Sequence, residues 1–202
     1  MARHTFFSFH YNNDVLRAHV VRNAWVTQDR VDAGFFDKSA FEKAKNENPD
    51  SLKRFLTSKL DGTSVTCVCV GAQTFERPWV RYEIVRSVQL GKGLLGVRLD
   101  QVKCAHDVKQ GLTGYEKSGA NPFDHLGLSR KDGRVYWHEW KNGKWISYDE
   151  VPSAKEADLP YEFGSANSMR LSALFPDYAY NPSADHLKIG QWIEKAAQNA
   201  GR

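Results

Sequence analysis

Ser64-Val65-Thr66-Cys67-Val68-Cys69-Val70 decides the fold. The run carries no charge, and β-branched residues alternate with small polarizable ones. A strand that faces water on one side would alternate apolar with polar side chains. A strand covered on both faces has no such need. The segment therefore predicts an interior strand of a parallel sheet. Upstream, Asn48-Pro49 marks a helix start with Pro in the first turn, Leu52, Phe55, Leu56 and Leu60 give one apolar face, and Gly62 ends it. Downstream, Pro78 opens a helix to about Leu90 with Val80, Ile84 and Val88 at four-residue spacing. Gly91 and Gly93 break it, and Gly93 to Leu99 reads as a second buried strand. Thr5 to Tyr11 supplies a further strand, followed by Asn12-Asn13-Asp14 as a cap for a helix to about Trp25. Strands alternating with helices predict a parallel sheet with right-handed crossovers.

The second half follows other rules. Residues 101–133 are rich in Gly, Lys and Asp and read as a long excursion. Tyr136 to Trp140, Asn142-Gly143 and Trp145 to Tyr148 predict a hairpin, because Asn-Gly accepts the positive φ angles of a tight turn. Residues 152–182 look irregular. Ser183 is a candidate cap for a last helix whose inner face is Ile189, Trp192, Ile193 and Ala196. No repeat, low-complexity tract or linker divides the chain. The expectation is one domain over 1–202, with a core at about 1–127 and a hairpin and terminal helix added over about 128–202.

Composition excludes several classes. The 202 residues are 41% hydrophobic, enough for one substantial core. Twenty-eight basic against 24 acidic residues give a net charge of +4 without a dense Lys/Arg run, which argues against DNA as a partner. No apolar run is long enough to span a bilayer, and no signal peptide is evident, so no membrane partner is expected. Cys67, Cys69 and Cys104 are odd in number, and the first two sit too close for an ordinary bridge, so reduced thiols in a cytoplasmic protein are expected. The seven histidines lack metal spacing, so no metal site is expected. Gly-x-Gly-x-x-Gly, Walker and Gly-x-Ser-x-Gly motifs are all missing.

Open parallel sheets bind ligands beyond the carboxyl ends of their strands, where the order reverses. In a flavodoxin-like order, with a short strand near Gly34-Phe35-Phe36, that crevice is lined by Ser8 to Asn13 and by Gly71 to Glu83. Glu83 follows Trp79 by one helical turn and lies beside the apolar stripe. Two readings stay open for it. It is either a functional carboxylate shielded at the core's edge or an ordinary helix residue paired with Arg81 or Arg86.

Phe6-Phe7-Ser8-Phe9 resembles the first box of TIR domains, and Trp79-Val80-Arg81-Tyr82-Glu83 resembles the box in which a Trp precedes the catalytic Glu by four. Stretches 6–11, 20–26, 63–68, 73–84 and 121–127 resemble, in order, the TIR-like proteins of the Thoeris anti-phage defence system, the ThsB family. Val80 departs from the Cys that many receptor-type TIR domains carry there, which favours the TIR-like branch. The resemblance implies a flavodoxin-like α/β fold. It also implies an enzyme of the NAD glycohydrolase/ADP-ribosyl cyclase type. NAD is then a substrate, with no resident cofactor, and the product is a cyclic ADP-ribose isomer that activates a separate effector protein. A phage-derived trigger and self-association are implied as the means of activation. Carried over by motif, Glu83 is the catalytic carboxylate and Asn121, in Asn-Pro-Phe-Asp, a second catalytic position. Ser8, His10, Asp37 and Trp79 are candidates for binding NAD. The alternative for Asn121 is a turn residue before Pro122. Alternatives for the protein are a non-catalytic TIR-like scaffold or nucleotide-binding interaction module, and a nucleoside-processing transferase.

Overall fold

A computed structural model describes residues 3–26 and 48–202. The proposed strand near Gly34 and the candidate Asp37 lie outside the described residues. Four parallel strands form the first sheet in the order β1 (Thr5–Ser8), β2 (Val65–Val70), β3 (Gly93–Arg98) and β9 (Asp177–Ala179). The register pairs Ser8 with Val68, and Val68 with Gly96. All six residues of β2 are buried, as its charge-free sequence requires.

Period two distributes the β2 side chains between two cores. Val68 and Val70 join Leu94, Ile84, Val85 and Val88 on one face of the sheet. Val65, Cys67 and Cys69 join Phe7, Leu95, Val97, Val21 and Trp25 on the other. The first face is covered by α2 (Pro49–Leu60) and α3 (Pro78–Gln89), and the second by α1 (Tyr11–Val26) and the late helix α6 (Lys188–Asn199). Asn48 caps α2, its side chain accepting from the Ser51 amide at 2.8 Å, and Gly62 follows the helix at φ +76°.

A second, antiparallel sheet packs its inner face on the first core. Its order is β6 (Lys144–Ser147), β5 (Arg134–Lys141), β4 (Leu126–Lys131) and β8 (Ser168–Arg170), with β7 (Ala154–Lys155) pairing β5. Leu126, Leu128, Val135 and Trp137 point inward to Phe123, Leu171 and Phe175. The expected Asn142-Gly143 turn is present, with φ of 52° and 77°. A second tight turn at Asp132-Gly133, φ 52° and 71°, joins β4 to β5 inside what the sequence suggests is an excursion.

Three expectations need correction. The first strand ends at Ser8 and α1 already begins at Tyr11, so Asn12, Asn13 and Asp14 occupy its first turn and do not precede it. The His10 carbonyl accepts the Asp14 amide at 2.8 Å. The stretch 152–182 is not irregular throughout: it holds three strands of two or three residues, one of which completes the parallel sheet. The late helix is preceded by a separate turn, α5 (Pro182–Asp185), capped by Asn181 and not by Ser183. Between β3 and these elements lies one further short helix, α4 (Ala105–Lys109).

The seat of α6 on β3 depends on Gly93, where an added Cβ would lie 2.5 Å from the Ala196 carbonyl oxygen. Backbone cannot give way there as a flexible side chain would. We expect Gly93→Ala to lower unfolding free energy by about 1–3 kcal/mol in urea titration. Unchanged stability would mean that α6 does not press on the strand.

Candidate active site

The site is built from the carboxyl end of β1 and the second turn of α3. Ser8, the last residue of β1, is fully buried, and Glu83 is only 2% exposed. The Ser8 hydroxyl donates to Glu83 Oε2 in a short contact. Helix α3 is held in register with the sheet by its own polar residues. Thr66 of β2 and Ser87 share a hydrogen bond of 2.7 Å, and Ser87 Oγ donates to the Glu83 carbonyl at 2.6 Å. Glu83 is thus fixed at both its backbone and its carboxylate.

The helix ion pair that the sequence allows for Glu83 does not form. Arg81 reaches away to Glu139 of β5 at 2.6 Å and to the Phe75 carbonyl at 2.9 Å. Arg86 turns to Gln89. Among the described residues no cation pairs with Glu83. Burial therefore pushes its carboxyl up to about 8, and the hydrogen bond from Ser8 offsets only part of that rise. Near neutral pH the resting side chain holds its proton.

The other candidates lie on separate elements. His10 is half-buried just beyond β1, with Nδ1 enclosed and without a hydrogen-bond partner among the described residues. Burial, and then the charge of Arg77, hold its imidazole below the usual range. Asn121 is drawn in from the second half of the chain. A Cβ at Gly119 would lie 2.0 Å from the Gly71 carbonyl oxygen, and His125 sits 4.9 Å from Phe75, centroid to centroid. Segment 119–125 therefore lies across the loop that leaves β2. Asn121 Oδ1 accepts the Phe123 amide at 2.9 Å, capping the short 3-10 turn Pro122–His125. That is the turn role that Asn before Pro predicts. Among the described residues no hydrogen bond joins Asn121 to Glu83, and none engages Asn121 Nδ2. Trp79 is half-buried, packs on the first core and meets Tyr82 edge-on at 6.3 Å.

A second buried acid escaped the sequence reading. Asp14, 1% exposed, accepts Thr74 Oγ1 at 3.1 Å. Gly71 presses on it so closely that a Cβ would fall 2.4 Å from the carboxylate. Burial, and then Glu116, push it up to about 7. Its polar neighbours in sequence disguised it as a capping residue. The signal that could have exposed it is Gly71 and Thr74, two small residues where the loop must close over a side chain. Asp14 bonds Thr74 and Glu83 bonds Ser8, and among the described residues no hydrogen bond joins the two acids. Neither Ser8 nor Glu83 lines the cavities of about 330, 450 and 390 Å³ found among the described residues. No cluster of three or more His, Cys, Asp or Glu among those residues is placed to hold a metal, and no helix among them is long and apolar enough to cross a membrane.

Residues 6–104 match the family described as Thoeris protein ThsB, TIR-like domain. Over 197 residues the chain is 36% identical to "Putative cyclic ADP-D-ribose synthase ThsB1" of Bacillus cereus (strain MSX-D12), covering 96% of this chain and 100% of that protein.

The raised carboxyl makes a stability prediction. Unfolding releases Glu83 to its ordinary value of 4.5, while the folded protein keeps the proton to about 8. Stability from this group is full below the lower value and is lost as pH rises toward the upper one, by about 1.4 kcal/mol per pH unit inside the window. Glu83→Gln cannot titrate, so its unfolding free energy should fall less steeply between pH 5 and pH 8 than the wild type's. Parallel curves in denaturant titrations across that range would contradict the burial assigned to Glu83.

Proposed function

Because the chain belongs to the ThsB TIR-like family of Thoeris proteins, we propose that it is a cyclic ADP-ribose synthase that uses Glu83 to open NAD at its nicotinamide–ribose bond. The observation that supports this most directly is the buried Glu83–Ser8 pair, a carboxylate without a countercharge at the carboxyl end of a parallel strand. Rupture of that bond leaves neutral nicotinamide with the electron pair, and positive charge spreads over the ribose carbon and ring oxygen. An unpaired carboxylate in a water-poor site stabilises such a cation far better than one already bound to an arginine. The same logic places carboxylates opposite the oxocarbenium ion in glycoside hydrolysis. No general acid is needed, because the leaving group departs uncharged. Ring closure follows when a hydroxyl on the adenosine side attacks the ribose carbon and gives up its proton to the ionised Glu83 carboxylate, which returns to its resting form. It requires the substrate to be folded back with water excluded.

The proton on resting Glu83 fits a latent enzyme. The pyridinium charge of NAD, and then the cationic transition state, favour the ionised form, so substrate converts the acid into its active state. Ser8 is the group that keeps this ionisation within reach, since its hydrogen bond lowers the carboxyl. In this reading His10 and Asn121 meet the nucleotide, Asn121 through an amide nitrogen that no hydrogen bond engages among the described residues. Asp37 and Trp79 complete the proposed binding set. In this reading the reaction occurs in the cytoplasm. Self-association and a phage-derived trigger open the pair to substrate, and the nucleotide product acts on a separate effector in antiviral defence.

Incubation with NAD in extract from infected cells, followed by mass spectrometry, tests the assignment. Wild type should release nicotinamide and a cyclic ADP-ribose isomer, whereas Glu83→Gln should lose at least about a hundredfold in rate while remaining folded. Turnover at the wild-type rate by that variant removes Glu83 from the chemistry. A protein that never consumes NAD under any activation supports the scaffold reading instead. The pH dependence is separately informative. The wild-type kcat/KM should rise toward a plateau above about pH 8, and Ser8→Ala should shift that rise to higher pH. A flat profile from pH 6 to 9 would sever the link between rate and carboxyl ionisation.

A further inference from the structure

The outer face of the antiparallel sheet carries a hollow that the proposed reaction does not use. Along β4, Leu126 and Leu128 point into the core, so Gly127 and Ser129 face outward. Gly127 stands in register with His138 of β5 on one side and Arg170 of β8 on the other. The row across the sheet thus reads imidazole, gap, guanidinium. The gap exists because position 127 has no side chain: a Cβ there would lie 2.9 Å from the Met169 carbonyl oxygen and 3.3 Å from the Trp145 ring. The resulting cavity is about 330 Å³, at the small end of ligand-sized sites.

Its walls are chemically specific. The Trp145 indole, 38% exposed, forms one side. The Arg170 guanidinium lies 5.9 Å over that ring, and among the described residues it has no carboxylate partner. Ser129 Oγ and His138 Nε2 share a hydrogen bond of 2.7 Å at the opposite side, and Ser168 contributes a further hydroxyl beside Arg170. An arginine with no carboxylate partner among the described residues, beside the Ser168 hydroxyl, offers a donor fork shaped for a phosphate or carboxylate. An exposed indole beside it offers a flat apolar surface for a ring. Other arginines near this sheet are spoken for: Arg81 by Glu139 and Arg130 by Glu156.

We propose that this hollow is a second ligand site, taking a planar aromatic ring that carries one anionic group, of nucleoside monophosphate size. The ring lies against Trp145, and the anion is held by Arg170 with Ser168. The site is separate from the Glu83–Ser8 pair, and the inference does not rest on NAD turnover.

Calorimetric titration of the full chain with adenosine 5′-monophosphate, adenosine and inorganic phosphate tests it. The expected result is saturable binding of the monophosphate, with each half binding at least tenfold more weakly. Arg170→Gln, a change at an exposed residue, should weaken the monophosphate at least tenfold, and Gly127→Ala should do the same by filling the floor. Glu83→Gln should bind as wild type does. Circular dichroism on each variant confirms the fold, and Arg170→Gln remains decisive if Gly127→Ala does not fold. Equal affinity in Arg170→Gln and wild type, equal affinity for adenosine and its monophosphate, or no binding at millimolar concentration would each overturn the proposal.

Discussion

The hydrogen bond between Ser8 and Glu83 depends on β1 and α3 being locked to the same central strand. Ser8 reaches the carboxylate only because β1 is paired residue for residue with β2 up to Val68. Glu83 reaches Ser8 only because Thr66 and Ser87 fix the helix over that strand. A fully buried acid tolerates little error in such an arrangement, since a lost donor leaves a carboxyl oxygen with neither water nor partner. The polar interior is therefore as demanding of geometry as the apolar one. It explains why serine and threonine interrupt otherwise hydrophobic elements at positions 8, 66 and 87.

The antiparallel sheet acts on this arrangement from outside. By pairing Arg81 with Glu139, it ties the first turn of α3 to β5. Segment 119–125, which leads into β4, lies over Gly71 and so brings Asn121 near the loop that leaves β2. The antiparallel half is thus more than a decoration on the parallel sheet. Through Glu139 it engages Arg81 in the first turn of the helix that carries the acid.

Legibility in the sequence tracked the length and regularity of each element. Strand β2 and helices α2 and α3 could be read from residues alone, because six or more positions repeat one pattern between clear stops. The strands at 154–155, 168–170 and 177–179 could not, since two or three residues define no period and their partners lie elsewhere in the chain. Topology pointed to Glu83, but the partners its arginine neighbours choose were not legible: Arg81 takes Glu139 of β5 and Arg86 takes Gln89. Asp14 was hidden for a related reason: a polar residue after a strand reads as a cap, and only the packing of Gly71 distinguishes burial from capping. Asn121 came from motif resemblance, and its capping bond to Phe123 follows directly from Asn before Pro.

The three cysteines are all reduced and buried, and all belong to the parallel half: Cys67 and Cys69 in β2, Cys104 at the start of α4. The antiparallel sheet, from Leu126 to Arg170, has none. The molecule therefore carries a built-in reporter with spatial selectivity. A thiol reagent can reach Cys67 and Cys69 only when the central strand itself becomes accessible, so their labelling times the opening of the parallel sheet. Detachment of the antiparallel layer alone would leave that clock silent while changing the fluorescence of its own tryptophans, so the two layers can be followed separately in one unmodified chain.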